Sequence, residues 1–136
     1  MLSTIHTSAV NGMSAMPVFL EVNACEIRSQ EDRTIFFMVG LPDNAVRESK
    51  LRVEGALQNS GYMLPPREKY TINFAPADVR KEGSGYDLPL AIGLLVAAKK
   101  LQCDALSRYV FVGELGLDGS IRPVKGALSI AIKARE

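Results

Sequence analysis

The chain has 136 residues, of which 47% are hydrophobic and 23% are charged, a composition that suits one globular domain. Its 16 basic and 15 acidic side chains leave a formal net charge of +1, so no overall basic field favours nucleic acid as a partner. Residues 1–10 carry neither a basic start nor a long apolar core, and the longest apolar run is shorter than the roughly 20 residues that span a bilayer. We therefore expect a cytoplasmic protein with no membrane partner.

The first third of the chain predicts three strands joined by short turns. Residues 2–10 suit an edge strand, which the turn-forming pair Asn11-Gly12 follows. In residues 18–25 the apolar residues Val18, Leu20, Val22 and Ala24 alternate with a mixed set, Phe19, Glu21, Asn23 and Cys25, which predicts a half-buried strand. After a polar turn at 29–33, residues 34–39 are almost continuously apolar, which is typical of a strand near the centre of a sheet. We expect the three strands to form an antiparallel meander.

A helix is predicted to follow the third strand. Asp43 suits its N-cap, and Gly61 suits the position just after its last residue, near Ser60. Its core-facing stripe comprises Val46, Val53, Ala56 and Leu57. The opposite face mixes acids with bases, which predicts a solvated surface.

Residues 71–101 predict a strand, a charged glycine-containing loop and a second helix. This helix is apolar on every side, so we expect it to lie in the middle of the domain. Asp87 suits its N-cap, with Pro89 in the first turn. Because the first N–H groups of a helix are unpaired and partly positive, the loop at 75–86 is the candidate functional site.

The last part of the chain predicts a short strand at 109–112, a hairpin and a helix. The pair Asp118-Gly119 is a strong signal for the hairpin. The final helix, residues 123–136, carries an apolar stripe formed by Val124, Leu128, Ala131 and Ile132. It has no C-terminal cap, so we expect a fragment of a longer chain whose missing part lies downstream. The element order, βββαβα-ββ-α, predicts a single domain of the α+β class, with helices on one face of a sheet in two layers.

Several common sites are missing from the sequence. There is no GxxxxGK[ST] loop and no GxGxxG after a strand, so no nucleotide cofactor is expected in this segment. The single histidine, His6, leaves no His-rich metal site and disfavours a Ser–His–Asp triad. Cys25 and Cys103 lack CxxC spacing and are interpreted as reduced, partly buried thiols. No bound metal is expected.

Serine–lysine chemistry is the catalytic possibility that remains. A lysine whose pKa is lowered by burial can activate a serine hydroxyl in place of histidine. Ser84 lies just before the apolar helix, where backbone N–H groups could form an oxyanion hole, and Lys125 begins the last helix. The two residues are a candidate pair on chemistry alone.

Three long runs of sequence resemble one protein family. The N-terminal domain of the magnesium chelatase-like, ComM-type competence proteins of bacteria is similar to FMVGLPDNAVRES, INFAPADVRKEGSGYDLPLAIGLL and FVGELGLDGSIRPVKGAL. These runs cover most of the chain from Phe37 onward, and the opening HTSAVNG also fits. The match is long and ordered, so it is specific.

The resemblance implies both a fold and a parent protein. The fold is the ribosomal S5 domain 2-like fold of the Lon proteolytic domain and of the Lon-like domain of the RadA recombination factor, with a left-handed crossover. The parent would carry an AAA+ ATPase domain downstream, which binds ATP and Mg²⁺. It would form a homo-oligomeric ring, a hexamer, that moves DNA branches during natural transformation.

The Lon resemblance also tests the serine–lysine pair position by position. The Lon pattern KDGPSAG places the nucleophile serine on Gly85, and the pattern LPIGGLK places the catalytic lysine on Leu128. Glycine and leucine can neither attack a carbonyl nor accept a proton, so the resemblance implies a segment without catalysis. A serine–lysine peptidase with a pair shifted to Ser84 and Lys125 is the alternative.

We therefore expect a non-catalytic domain that serves assembly, contacts its own AAA+ domain and neighbouring subunits, and helps to guide DNA. The loop charges Arg80, Lys81 and Glu82 are interpreted as solvated, and Asp87 as a cap that pairs with a nearby base. The basic residues selected for a DNA or subunit contact are Arg47, Lys50, Arg52, Arg67, Lys69, Arg80 and Lys81. A stand-alone DNA-binding module is the further alternative.

Overall fold

A computed structural model describes residues 1–28 and 33–136 of the chain. They form two layers, a mixed β-sheet and helices packed on it, which confirms the predicted α+β class. The elements are β1 (Leu2–Asn11), β2 (Ser14–Glu26), β3 (Ile35–Val39), α1 (Asn44–Arg47), α2 (Ser49–Asn59), β4 (Glu68–Ala75), α3 (Asp87–Ala97), a short 3-10 helix (Leu106–Arg108), β5 (Glu114–Leu115), β6 (Ile121–Arg122) and α4 (Ala127–Arg135). The turn predicted at 29–33 lies almost entirely outside the described residues.

The main sheet has the strand order β1-β2-β4-β3, so the predicted meander is wrong. The strands β1 and β2 form an antiparallel hairpin, but β3 does not pair with β2. Instead β4 lies between them, antiparallel to β2 and parallel to β3. The alternate side chains Tyr70, Ile72 and Phe74 of β4 are fully buried, which accounts for its inner position.

The strand β3 lies at an edge of the sheet, not near its centre as its apolar run predicted. The side chain of Phe37 is 52% exposed and that of Val39 is 49% exposed. A short run of apolar residues indicates a strand but does not say which neighbours cover it. The position of β3 therefore depends on the crossover through α1 and α2.

The opposite edge, β1, is covered by residues 109–112. The predicted strand there is reduced to one parallel bridge between Val110 and His6. The N–H of Phe111 donates to the carbonyl of His6 at 2.9 Å. The edge position predicted for β1 is confirmed for the four-stranded sheet, and this segment shields it.

The predicted first helix is divided into α1 and α2 at Glu48. The carboxylate of Asp43 accepts a hydrogen bond from the N–H of Val46 at 2.8 Å, which confirms the predicted N-cap. Gly61 adopts a φ of +85°, as expected just after a helix. All four residues of the predicted stripe, Val46, Val53, Ala56 and Leu57, are buried.

The helix α3 lies in the core, as predicted. It packs against β1, β2 and α2, and Leu90 and Leu94 are almost completely buried. A Cβ atom on Gly93 would lie 2.8 Å from Val22 Cγ2, so glycine is needed for this close approach to the sheet. Burial of each leucine contributes on the order of 2 kcal/mol.

The helix α4 buries a different face from the predicted one. Ile130 is buried, whereas Leu128 is 74% exposed and Ile132 is also exposed. The hydroxyl of Ser129 donates to the carbonyl of Met13 at 2.9 Å, which orients the helix on the β1–β2 turn. Three of the four residues that periodicity assigned to the core, Leu128, Ala131 and Ile132, are therefore exposed, and only Val124 is half-buried.

Candidate functional site

A cleft of about 760 Å³ opens beside the glycine loop that precedes α3. The loop contributes Gly83, Ser84 and Gly85 to its wall, and the approach to α4 contributes the opposite side. The polar side chains that complete the lining are Ser8, Asp43, Glu82, Tyr86, Glu114 and Lys125. The loop selected from the sequence therefore does border a concave surface.

The structure brings Ser84 and Lys125 to this one cleft but does not link them. Both residues are described, and no hydrogen bond joins their side chains. Lys125 is exposed, and the backbone carbonyl of Ser84 accepts a hydrogen bond from the N–H of Asp87 at 3.2 Å. A general base must lie within hydrogen-bonding reach of the group that it deprotonates. In this arrangement the serine hydroxyl has no base bonded to it.

The two positions that correspond to the Lon dyad differ in their surroundings. A Cβ atom on Gly85 would lie 3.4 Å from Val124 Cγ1, which is an ordinary contact distance. Gly83, not Gly85, adopts a positive φ, of +88°. Leu128 projects from α4 into solvent. Residue 85 therefore has room for a Cβ atom.

Asp87 is completely buried and does not cap α3, contrary to the prediction. Its two carboxylate oxygens accept hydrogen bonds from four groups. The donors are Ser49 Oγ at 2.5 Å, Arg52 Nε at 2.7 Å, Arg52 Nη2 at 3.1 Å and the N–H of Leu115 at 3.0 Å. One carboxylate thus joins α2, α3 and β5, and a buried charge is stabilised because it is paired and hydrogen-bonded.

Arg52 is the base that pairs with Asp87, as the sequence analysis expected of a nearby base. Its Nη2 atom also donates to the carbonyl of Ala45 at 3.1 Å. The hydrogen bond to Asp87 raises the pKa of the Arg52 guanidinium above its ordinary value, although burial acts in the opposite direction. This arginine is engaged within the domain, so it is a poor candidate for the DNA contact proposed from the sequence.

Lys81 is also completely buried, so its interpretation as a solvated charge is wrong. Its Nζ atom donates to the carbonyl of Gly40 at 2.7 Å and to the carbonyl of Pro76. Its backbone N–H donates to Leu41 at 3.0 Å and its carbonyl accepts from Asp43 at 3.0 Å. Burial lowers the pKa of the ammonium group, while nearby Asp78 opposes that shift. The lysine fastens the loop after β3 to the loop after β4.

The remaining basic residues selected from the sequence are dispersed. Arg47 and Lys50 are exposed on α1 and α2, and Lys69 is half-buried in β4. Arg67 precedes β4 and has an interaction within the chain. Arg80 pairs with Glu82 at 3.1 Å on the surface. The seven basic residues therefore differ in location: some are exposed on helices, one is half-buried in a strand, and others bind groups within the domain.

Tyr86 is a cleft residue that the sequence analysis did not select. Its side chain is buried, and its ring packs edge-on against that of Phe74 with the centroids 5.6 Å apart. Burial raises the pKa of the Tyr86 phenol to about 12, with smaller contributions from Asp43 and Glu82. An aromatic residue between a glycine loop and the first turn of a buried helix was the signal that could have identified it.

The described residues show neither a metal cluster nor a membrane span. No three His, Cys, Asp or Glu side chains among them are placed to hold a metal ion. Within the same residues, no helix has the length and apolar character needed to cross a bilayer. Cys25 and Cys103 are free thiols, and both are exposed, so the predicted partial burial is wrong.

Fold and site together define a two-layer α/β domain in which a glycine loop borders a cleft. Two buried charged residues, Lys81 and Asp87, bind this loop region to other segments of the domain. The chain belongs to the family of the ChlI subunit of magnesium chelatase, whose family model matches residues 25–136. This confirms the recognition of a ComM-type, magnesium chelatase-like domain.

Relatives from three bacteria extend the comparison over almost the whole chain. The protein YifB of Escherichia coli is 46% identical over 133 residues, which is 98% of this chain and 25% of YifB. The competence protein ComM of Haemophilus influenzae is 36% identical over 135 residues, which is 99% of this chain and 25% of ComM. A protein of Mycobacterium tuberculosis is 41% identical over 98 residues, which is 72% of this chain and 19% of that protein. YifB and ComM match almost the whole of this chain, and the chain spans about a quarter of the length of each of these two curated relatives.

Proposed function

We propose that this chain is a non-catalytic assembly domain of a ComM-type AAA+ ATPase. The observation that carries the proposal is that Gly85 and Leu128 occupy the two positions where Lon-type chemistry needs a serine and a lysine. The nearest substitutes, Ser84 and Lys125, line one cleft without a hydrogen bond between them. The loop side chains that are buried serve contacts within the domain instead.

The parent protein that we propose is a cytoplasmic, homo-oligomeric ring. Its ATP and Mg²⁺ are bound by a part of the chain outside this domain, since these 136 residues contain no GxxxxGK[ST] loop. One relative is named a competence protein, which supports a role in natural transformation, where the ring moves DNA branches. Absence of a GxxxxGK[ST] motif from the rest of the parent chain would contradict the ATPase assignment.

The exposed face of α4 is the surface that we assign to the ATPase part of the same chain. Leu128 and Ile132 form an apolar patch that periodicity predicts should be buried. The relatives carry about three quarters of their length outside the matched region, so they contain ample chain to cover this patch. In this arrangement α4 fixes the position of the domain relative to the ATPase part.

Substitutions in the full parent protein test the proposal. Ser84→Ala with Lys125→Ala should leave ATP hydrolysis and ring size unchanged, because neither side chain performs chemistry. Leu128→Asp with Ile132→Asp should reduce assembly, measured by light scattering after size-exclusion chromatography. Leu51→Asp, on an exposed leucine of α2, is the control. Normal assembly of the α4 variant would contradict the role that we assign to the exposed face of α4.

A serine–lysine peptidase is the second candidate, because the structure does place Ser84 and Lys125 at the same cleft. In this case the Lys125 amine would have to reach the Ser84 hydroxyl within the cleft. A fluorophosphonate probe should then label Ser84, and Lys125→Ala should abolish the labelling. Labelling with this dependence would overturn the non-catalytic proposal, whereas an unlabelled serine supports it.

Direct DNA binding is a weaker candidate, because Arg52 and Lys81 are engaged inside the domain. Arg47 and Lys50 are the exposed pair that remains on one helical region. If they contact DNA, Arg47→Ala with Lys50→Ala should weaken binding to branched DNA and reduce its salt dependence. Arg80→Ala is a control on a base that already pairs with an acid. Absence of binding at low salt would remove this candidate.

A further inference from the structure

The cleft beside the glycine loop carries an excess of negative charge. The acidic side chains in its lining are those of Asp43, Glu82 and Glu114. Among the described residues that line the cleft, Lys125 is the one base, and it lies at the exposed rim. Asp43 and Glu114 are half-buried, so their charges are less screened by water than charges on an open surface.

The charges of Asp43 and Glu114 are only partly balanced by the rest of the domain. Glu82 already belongs to a surface ion pair of 3.1 Å. After Asp87, Glu114 also contributes to the raised pKa of Arg52, but this guanidinium is hydrogen-bonded to Asp87. The carboxylate of Asp43 accepts one backbone N–H at 2.8 Å. Both acids can therefore accept further hydrogen bonds from a positively charged group.

Tyr86 adds a polar group that has no partner in the domain. This residue lines the cleft, although only 3% of it is exposed. Within residues 1–28 and 33–136, its hydroxyl makes no hydrogen bond, and its oxygen is not fully enclosed. Burial raises the pKa of the phenol, and Asp43 and Glu82 raise it further, so the hydroxyl lies near both acids. It is available to a group that enters the cleft.

The start of α3 does not provide an anion site here, although it borders the cleft. The N–H of Asp87 donates to the carbonyl of Ser84 at 3.2 Å. The N–H of Leu88 donates to the carbonyl of Gly113 at 3.0 Å. The next residue, Pro89, has no N–H, and the buried carboxylate of Asp87 lies in the same turn. The N–H groups that bind anions at other helix starts are therefore engaged.

The rest of the lining is mainly apolar. The apolar side chains are those of Val10, Ala45, Val112, Pro123, Val124 and Ile130. A ligand that matches both parts of the cleft joins an aliphatic stem to a positively charged head. Lysine and arginine side chains have this form, since their methylene stems pack on apolar surface. The cleft volume of about 760 Å³ is in the range of ligand sites.

We propose that this cleft binds the charged head of a lysine or arginine side chain from a polypeptide segment. The head donates hydrogen bonds to the carboxylates of Asp43 and Glu114 and to the hydroxyl oxygen of Tyr86. The stem lies on the apolar lining beside Val124, and Lys125 opposes the ligand from the rim. The inference goes beyond the assembly role and does not depend on it, because it concerns the ligand of the cleft.

A photoreactive dipeptide, N-acetyl-benzoylphenylalanyl-arginine amide, tests the site in the full parent protein and in the 136-residue chain. After irradiation, mass spectrometry locates the cross-links, which we expect on residues 82–86 and 123–126 of the cleft lining. N-acetyl-arginine amide and N-acetyl-lysine amide should compete with the probe. N-acetyl-glutamine amide is the neutral control. Stronger competition by N-acetyl-glutamate amide would indicate an anion site and overturn the inference.

Conservative variants should change the affinity of N-acetyl-arginine amide in opposite directions. Asp43→Asn, which keeps a capping side chain, combined with Glu114→Gln should weaken its competition about tenfold. Tyr86→Phe removes only the hydroxyl and should weaken it about fivefold. Lys125→Gln removes a like charge from the rim and should strengthen it about twofold. Glu54→Gln, on an exposed acid of α2 outside this cleft, is the matched control and should change nothing.

The two proteins also distinguish the sources of the bound side chain. Cleft labelling in both supports a site that is open to a segment of another protein. Labelling of the 136-residue chain alone supports a site that the parent fills with its own basic segment. Circular dichroism confirms that each protein is folded. Absence of cleft labelling from both, or competition that the Asp43/Glu114 variant leaves unchanged, would overturn the inference. The Ser84 labelling and the α4 variant decide the proposed function separately.

Discussion

The loop before α3 has two sides that differ in how their side chains are used. On the buried side, Lys81 and Asp87 are fully enclosed, and each binds groups from other segments of the fold. On the cleft side, Ser84 and Lys125 make no hydrogen bond to each other. The loop region therefore makes stabilising contacts with other segments on one side. On its other side it borders the cleft in which a catalytic pair would have to form.

This difference separates the structural role of the loop from any chemistry at the cleft. A glycine loop that leads into a buried helix is held by the charges on its inner side, and their loss would cost stability whether or not the cleft performs chemistry. The outer side is free of that constraint. Substitutions on the two sides should consequently differ in their effect on the free energy of unfolding.

The largest effect is expected for Asp87→Ala. This substitution removes the acceptor of four hydrogen bonds and leaves the Arg52 guanidinium unpaired, so the free energy of unfolding should fall by about 3–5 kcal/mol. Urea unfolding followed by circular dichroism measures the change. Glu82→Ala, on an exposed acid of the same loop, is the control and should stay within about 0.5 kcal/mol. A loss below about 1 kcal/mol for Asp87→Ala would show that the buried hydrogen bonds of this residue do not stabilise the fold.

The next largest effect on the free energy of unfolding is expected for Tyr86→Phe, and this effect depends on pH. The unfolded phenol loses its proton near pH 10, whereas the folded one keeps it until about pH 12. Between these values the native state binds more protons than the unfolded state, so stability falls as the pH rises. Tyr86→Phe should remove about 2–3 kcal/mol of that fall between pH 9 and 12. Tyr109→Phe, on an exposed tyrosine, is the control. An unchanged slope in Tyr86→Phe would contradict the raised pKa.

Lys81→Met should have a smaller effect at neutral pH. The substitution keeps most of the side-chain volume but leaves the carbonyls of Gly40 and Pro76 without their donor, at an expected cost of about 1–3 kcal/mol. The adjacent change Arg80→Met affects only a surface ion pair and should be nearly neutral. Equal stability of the two variants would mean that Lys81 does not hold the loops together.

The smallest effect is expected on the cleft side, from Gly85→Ser combined with Leu128→Lys. Residue 85 has room for a Cβ atom, and Leu128 is exposed, so stability should stay within about 0.5 kcal/mol. Gly93→Ser is the contrasting control, because a Cβ atom there would lie 2.8 Å from Val22 Cγ2. A destabilisation of the cleft variant as large as that of Gly93→Ser would erase the distinction between the two sides.

Local patterns in the sequence predicted local structure well. The cap at Asp43, the buried stripe of α2 and the core position of α3 were all readable, because capping and periodicity depend on neighbouring residues. The hairpin at Asp118-Gly119 was also correct. The comparisons confirm the ComM-type, magnesium chelatase-like family. The Lon resemblance that singled out Gly85 and Leu128 stays a prediction.

The errors share one physical cause, which is dependence on distant partners. The edge position of β3 is set by β4, which occupies the place beside β2. The exposed face of α4 is set by its contact with the β1–β2 turn. The pattern of a strand or helix shows that one side is apolar, but it does not identify what covers that side.

What the sequence by itself determined is most of the helices and strands, the two-layer α+β class and the position of the glycine loop before α3. Only the tertiary structure decided the strand order, the bare edge of β3 and the roles of the loop charges. A charged residue in a turn is solvated unless other segments supply enough partners to replace water. Three segments meet at Asp87 and two loops meet at Lys81, and such meetings exist only in the folded chain.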